Sequence, residues 1–258
     1  MNELTQSVVL GIVQGVTEFI PVSSTAHLVL IPKFLGWKGT VNTLEYDIAL
    51  HGGTLLALLI YFKEQWIRLF TKELKLLFYL IVATVPAGVV GVLFEDYVST
   101  TLRTPLIIAI SLIVFGLFML YSERYGGTKD IGRLTLFDSL IIGLFQSVAL
   151  IPGVSRSGIT ISGGLLRGFR REEAARFSFL LSTPVIGGAL VLEGLKVIKG
   201  NGVIEPEIML GGFLSAFFSG LFVIWGLLWF FKRFSLKGFV YYRVLLAVII
   251  LLSLWLNV

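Results

Sequence analysis

Long apolar runs alternate with short polar punctuation along this chain, and two of the runs are broken in the same way. LGIVQGVTEFIPVSSTAHLVLI (Leu10 to Ile31) and IIGLFQSVALIPGVSRSGITISGGLL (Ile141 to Leu166) each run apolar and stop at a proline. Each then passes through a knot of Ser, Thr, Arg or His and turns apolar again. The pattern predicts five helical elements in each half. In the first half these are short helices at about 6–20 and 24–35, broken at 21–23, then longer spans at 48–62, 76–94 and 105–121. The second half repeats the order, with short helices at about 136–151 and 155–166, broken at Pro152–Gly153, then spans at 177–192, 209–231 and 239–256.

The short pieces cannot cross a hydrocarbon core of about 30 Å at 1.5 Å per residue, so each pair reads as a re-entrant hairpin. Irregular backbone at that depth is tolerated where it is buried in protein or lines a cavity. The expected fold is all-α: one polytopic membrane domain over 1–258, built from two inverted-topology repeats at 1–125 and 133–258. Each repeat has a re-entrant hairpin and three transmembrane helices. The turn-rich GGTKD stretch at 126–130 links them. Aligning the hairpins sets Gly11 opposite Gly143 and Gln14 opposite Gln146. A one-residue gap then sets Pro21 opposite Pro152 and Ser24 opposite Ser155.

Composition supports the membrane reading. Apolar residues make up 56% and charged residues only 14%, far less charge than a soluble domain carries. The net charge of +5 does not point to nucleic acid, because the basic residues sit in short loops between spans. With hairpins returning to their own side, one side carries Lys33, Lys38, Arg103, Lys196 and Lys199. The other carries Lys63, Arg68, Lys72, Lys75, Arg124, Lys129, Arg133, Arg167, Arg170, Arg171, Arg176, Lys232, Arg233 and Lys237. The positive-inside rule makes the second side cytoplasmic in a plasma membrane, with both termini and the first hairpin's opening outside. Full crossings by the short helices would give the same parity. The Met-Asn-Glu start lacks a basic n-region, so it reads as part of the fold rather than a signal peptide. No cysteine is present, which excludes disulfides and thiolate metal sites. Neither a GxxxxGK[ST] loop nor an HExxH helix occurs.

Three constellations carry candidate chemistry. Gln14 and Glu18, four apart, share a helix face. A buried Glu must be paired, protonated or bound to a cation. Gln14 and Glu18 offer hard oxygens suited to Mg²⁺ or Ca²⁺; equally, Glu18 could act as a general base, or the pair could simply staple the hairpin. In the knot after Pro21, Ser23, Ser24 and Thr25 are N-cap types at a helix start, a natural anion site. His27 faces the same way, and hydroxyl, imidazole and carboxylate are the parts of an activated nucleophile. Plain capping around a core histidine is the bland alternative. The third knot holds Ser155, Arg156, Ser157 and Thr160. An arginine at a buried tip needs an anion, either Glu18 or a phosphate suited to its fork. Asp47 and His51 are weaker candidates, lining an entrance or forming a solvated interface pair.

These residues resemble the undecaprenyl-diphosphate phosphatase, or bacitracin-resistance protein, family. QGVTEF-PVSSTAH is similar to its (Glu/Gln)-x-x-x-Glu and PVSST-x-H motifs, LIPGVSRSGITISGGLLRG to its PGxSRSxxT motif, and FSFLLSTPVIGGA to a further stretch. Gln14 stands where some members have Glu, and Ala26 where many have Gly. The resemblance implies a membrane phosphatase that takes undecaprenyl diphosphate to the monophosphate, recycles the carrier for cell-wall polymer synthesis and confers bacitracin resistance, meeting bacitracin only through the shared lipid. It implies a divalent cation and catalytic roles for Glu18, Ser24, His27 and Arg156. Ser23, Thr25, Ser155, Arg156, Ser157 and Thr160 would bind phosphate, and Gln14 and Glu18 a metal. Ser24 is the candidate nucleophile with Glu18 or His27 as base, direct attack by water activated by Glu18 being the other route. Expected partners are the polyprenyl diphosphate and membrane lipids, not nucleic acid; a homodimer is one arrangement left open. The rival class is a lipid-phosphate transporter, since inverted repeats with broken helices are also transporter architecture.

Overall fold

A computed structural model describes residues 1–199 and 205–256, with the side chains at 95, 96, 98–100, 198 and 199 excepted. Lys199, counted above in the charge balance, therefore lies outside the described side chains. The described chain is helical throughout, in the order α1 (Glu3–Thr17), α2 (Ser24–Leu35), α3 (Leu44–Tyr61), α4 (Lys63–Thr71), α5 (Leu74–Thr100), α6 (Pro105–Ser122), α7 (Leu136–Val148), α8 (Arg156–Leu166), α9 (Arg171–Lys199), α10 (Pro206–Phe231) and α11 (Lys237–Trp255).

Five helices, α5, α6, α9, α10 and α11, are long and apolar enough to cross a membrane. Their outward faces carry large apolar side chains, among them Phe78, Ile81, Leu117, Phe222, Trp225 and Leu245. Such a surface suits hydrocarbon as solvent, not water. The first of the three longer spans expected in the first half, at 48–62, corresponds to α3, which is not in this set; its first turn carries Glu45 and Asp47.

One helix start and one additional helix stand out against the pattern reading. α9 begins at Arg171, not near 177, because Glu172 and Glu173 suit the positive end of a helix dipole. The amphipathic α4 was hidden in the charged gap after Phe62. It buries Gln65 and Leu69 and leaves Ile67 and Phe70 outside.

Each hairpin packs its first helix on the other half. α1 lies along α10, and α7 along α5. Small residues make this possible. Gly11 and Gly15 face the backbone of Gly212 and Ala216, and Gly143 faces that of Ala83, so an added Cβ would clash in each case. Close backbone approach through small residues is the usual route to helix association where lipid removes the hydrophobic drive. α6 pairs with α11, and α3 with α9 and α10.

Ion pairs gather at one end of the bundle. Asp138 holds Lys129 and, at 2.8 Å, Arg167; Glu123 holds Arg171 at 2.8 Å; Glu172 holds Lys232 at 3.2 Å. All these cations belong to the set that the charge count groups on one side.

Candidate active site

The two hairpin tips meet inside the bundle. After α1 the chain turns through residues 18–23, and Ser23 enters α2 at φ 74°. After α7 it turns through 149–155, and Ser155 enters α8 at φ 72°. These are the only non-glycine residues with positive φ among those described. Gly36 and Gly168, the same interval apart, also share positive φ. Ser23, not Ser24, is therefore the counterpart of Ser155, and the one-residue gap drawn from the sequence is not needed. The matching prolines misled that alignment; Pro21 corresponds to Gly153. In the corrected register Glu18 stands opposite Leu150 and Arg156 opposite Ser24. Each tip contributes one charge that the other lacks.

Those two charges meet. Glu18 is buried, and its Oε1 accepts from Arg156 Nη2 at 2.5 Å. Its Oε2 accepts from Ser24 Oγ at 2.7 Å and from Gln14 Nε2 at 3.1 Å. Among the described residues, Arg156 Nη1 and Gln14 Oε1 find no partner and are buried. A buried guanidinium nitrogen with no acceptor is costly and marks a place where an anion would be welcomed.

A polar cavity of about 110 Å³ lies here, bordered by Glu18, Ser23, Ser24, Thr25, His51, Ser155 and Arg156. The starts of α2 and α8 both border it, and helix N-termini favour anions. Glu18, His51 and Arg156 also border an apolar groove of about 340 Å³, which runs between α5 and α9 past Gly88, Val92, Leu150, Ile186 and Leu192. A small polar chamber thus shares Glu18, His51 and Arg156 with an apolar groove.

Not every candidate reaches the chamber. His27 lies off it. Its Nδ1 donates to the Ser23 carbonyl at 2.7 Å, and its Nε2 accepts from Tyr242, against which the ring stacks. Ser157 donates to the Ile20 carbonyl at 3.3 Å, tying one tip to the other. Thr160 is spent on the Arg156 carbonyl and on Ser178 of α9. Gln14 touches only Glu18 at the site.

Two residues gain weight. His51 borders both cavities, and its Nδ1 donates to the Asp47 carbonyl at 2.8 Å. Asp47 itself borders neither. Arg243 of α11 was overlooked. It is fully buried and spends its donors on the carbonyls of Pro21, Gly153 and Val154 in the tips, and of Ser111 and Leu112 in α6. The signal was present: Arg243 is the one charge in the apolar run from 238 to 256.

The donor set does not fit a metal held by the protein alone. Among the described residues no group of three or more His, Cys, Asp or Glu comes together. Glu18 is the one carboxylate bordering the chamber, and a guanidinium already occupies one of its oxygens.

Comparison with known proteins adds the biological context. The sequence model of the family described as bacitracin resistance protein BacA matches residues 7–249. The chain is 49% identical over 252 residues to the undecaprenyl-diphosphatase of Thermodesulfovibrio yellowstonii, covering 98% of each. It is 46% identical over 255 residues to the protein of that name from Desulforudis audaxviator, covering 95% of this chain and 96% of that one. It is 44% identical over 255 residues to that of Elusimicrobium minutum, covering 96% of each.

Proposed function

The chain belongs to the bacitracin resistance protein BacA family, and from this membership we propose the chemistry by which it acts as a multi-pass membrane undecaprenyl-diphosphatase. It hydrolyses undecaprenyl diphosphate to the monophosphate and inorganic phosphate. The observation that carries the mechanism is the meeting of Glu18, Ser24 and Arg156 in a chamber that opens to an apolar groove.

The terminal phosphate enters the chamber and the isoprenoid tail lies in the groove. Arg156 Nη1 and the free N–H groups of α2 and α8 hold the phosphate oxygens. Phosphoryl transfer is mostly positioning and charge stabilisation, which such groups supply. Ser24 is the nucleophile. Its 2.7 Å hydrogen bond to Glu18 supports a direct proton transfer to that carboxylate as Oγ attacks phosphorus. His27, with both nitrogens engaged, supports the tip by holding the Ser23 carbonyl and does not act as the base. By themselves the residues present would not hold a Mg²⁺ or Ca²⁺; such a cation is ordinarily held through substrate phosphates with few protein ligands, and there it would screen their charge.

The repeats are inverted in topology. The excess of Lys and Arg at the ion-paired end makes that end cytoplasmic in the plasma membrane, with the termini and the chamber's opening outside. The transporter alternative finds no support in the relatives' names, and a pure binder needs no nucleophile beside a carboxylate.

The test is phosphate release from undecaprenyl diphosphate by purified protein in detergent, with Glu18→Ala, Ser24→Ala and Arg156→Ala alongside. Release abolished in all three folded variants supports the mechanism. Release that persists in Ser24→Ala removes the covalent route and leaves direct attack by water.

A further inference from the structure

We propose that His51 is the second base of the reaction, the group that activates the water which frees Ser24 from its phosphate. The inference rests on the covalent reading above and adds what that reading lacks.

Two-step transfer through Ser24 needs two proton acceptors. In the first step the Ser24 Oγ–P bond forms as the P–O bond to the lipid phosphate breaks, and the Ser24 proton passes to Glu18. Glu18 is then protonated and hydrogen-bonded to the oxygen it must later reprotonate, so it cannot also accept a proton from water. In the second step the water O–P bond forms as the Ser24 Oγ–P bond breaks. Glu18 returns its proton to Ser24 Oγ, and the water proton must go elsewhere.

Among the described residues, only one side chain bordering the chamber can take it. Arg156 is permanently protonated. Ser23, Thr25 and Ser155 are hydroxyls. Gln14, buried behind Glu18, is an amide. His27 neither borders the chamber nor has a free nitrogen. His51 remains. Its Nδ1 faces the Asp47 carbonyl at 2.8 Å, which can only accept, so Nδ1 carries the hydrogen and Nε2 of the neutral ring presents its lone pair. This is the second-group orientation that a catalytic imidazole requires, supplied here by backbone.

Its position fits the step. Displacement at phosphorus is in line, so water must attack from the side that the lipid phosphate has left. That side faces the apolar groove, down which the tail departs. His51 borders both the chamber and the groove, so it stands at their junction, beside the water's approach.

The experiment is rapid-quench turnover of undecaprenyl diphosphate by wild type, His51→Ala, His51→Gln and Ser24→Ala, reading lipid monophosphate, inorganic phosphate and phosphoserine at residue 24 by peptide mass spectrometry. Removing a general base costs about 10²–10⁴-fold in rate. The His51 variants should therefore turn over at least about 10²-fold more slowly. They should still release one equivalent of lipid monophosphate promptly, with phosphate lagging and phospho-Ser24 accumulating. A merely structural defect would slow both products together and leave no phosphoserine. His51→Gln keeps an N–H for the Asp47 carbonyl and guards against misfolding of the alanine variant. Wild-type turnover in folded His51 variants, or slow turnover without phospho-Ser24, overturns the proposal and leaves the Ser24–Glu18 mechanism standing. Turnover by Ser24→Ala overturns that mechanism itself, and the need for a second base falls with it.

Discussion

Ser23 and Ser155 stand 132 positions apart and enter their helices with the same left-handed backbone, φ 74° and 72°. A serine held there is strained, at a cost of about 1–3 kcal/mol. The strain turns the chain sharply so that the first turns of α2 and α8 face one chamber. Glycine at either site relieves the strain, whereas a β-branched residue deepens it. Ser23→Gly should hold or raise the unfolding temperature in detergent. Ser23→Val should lower stability by about 1–3 kcal/mol. A Ser23→Val protein as stable as wild type would show that the turn is not strained.

Glu18 and Arg156 form the buried pair that joins the tips, and each is worth little alone. Truncating one partner of a buried pair leaves the other charge uncompensated, at about 3–5 kcal/mol. Glu18→Gln and Arg156→Gln should each destabilise strongly. The double variant should lose less than the sum of the two, and all three should be inactive. Additive unfolding energies across this cycle would mean that the two side chains do not interact.

Arg243 is the keystone between the tips and α6. Its five hydrogen bonds all go to carbonyl oxygens, among them those of Pro21 and Gly153, and among the described residues it has no acidic partner. Lysine keeps the charge but loses the planar fork and two of the donors. Arg243→Lys should therefore lower the unfolding temperature and turnover together, and Arg243→Met should be worse, since it leaves the carbonyls of both tips unpaired in the interior. Unfolding by fluorescence, with turnover on the same preparation, checks both. A lysine variant indistinguishable from wild type would remove the clamp.

Much of this was legible in the sequence because the membrane imposes a strict grammar. The long apolar spans, the paired breaks and the hydroxyl knots with Glu18 and Arg156 all read directly. The hairpin register did not, because residue identity at Pro21 and Pro152 competed with backbone conformation at Ser23 and Ser155, and only the second is diagnostic. The placement of His27 and His51 was not legible for the same kind of reason: His51 borders the chamber and His27 does not. Their neighbours in sequence favoured His27, but its ring is turned towards Tyr242 of α11, a contact 215 residues away. Arg243 stands out in the sequence as the one charge in its apolar run, but its role does not, because its partners are carbonyl oxygens, which leave no signature there. α4 escaped because nine residues with three charges look like a loop until Gln65 is seen buried, accepting from both Arg68 and Arg176.

The expected divalent cation yields the last prediction. Among the described residues Glu18 is the lone carboxylate at the chamber, and its oxygens already serve Arg156, Ser24 and Gln14. A divalent cation in the substrate-free protein would have to displace a guanidinium from a buried site and gain one carboxylate in return. A diphosphate offers several anionic oxygens at once, and a cation bound to them would offset negative charge that Arg156 alone cannot balance. Calorimetry should accordingly find no saturable Mg²⁺ or Ca²⁺ binding to the protein by itself. EDTA should abolish turnover, and re-addition should restore it with an apparent affinity that tracks the lipid diphosphate and not the protein. Gln14→Glu adds a second carboxylate beside Glu18 and should create measurable Mg²⁺ binding in the absence of lipid. Saturable, stoichiometric binding by the wild-type protein without lipid would place the cation in the protein and overturn the argument.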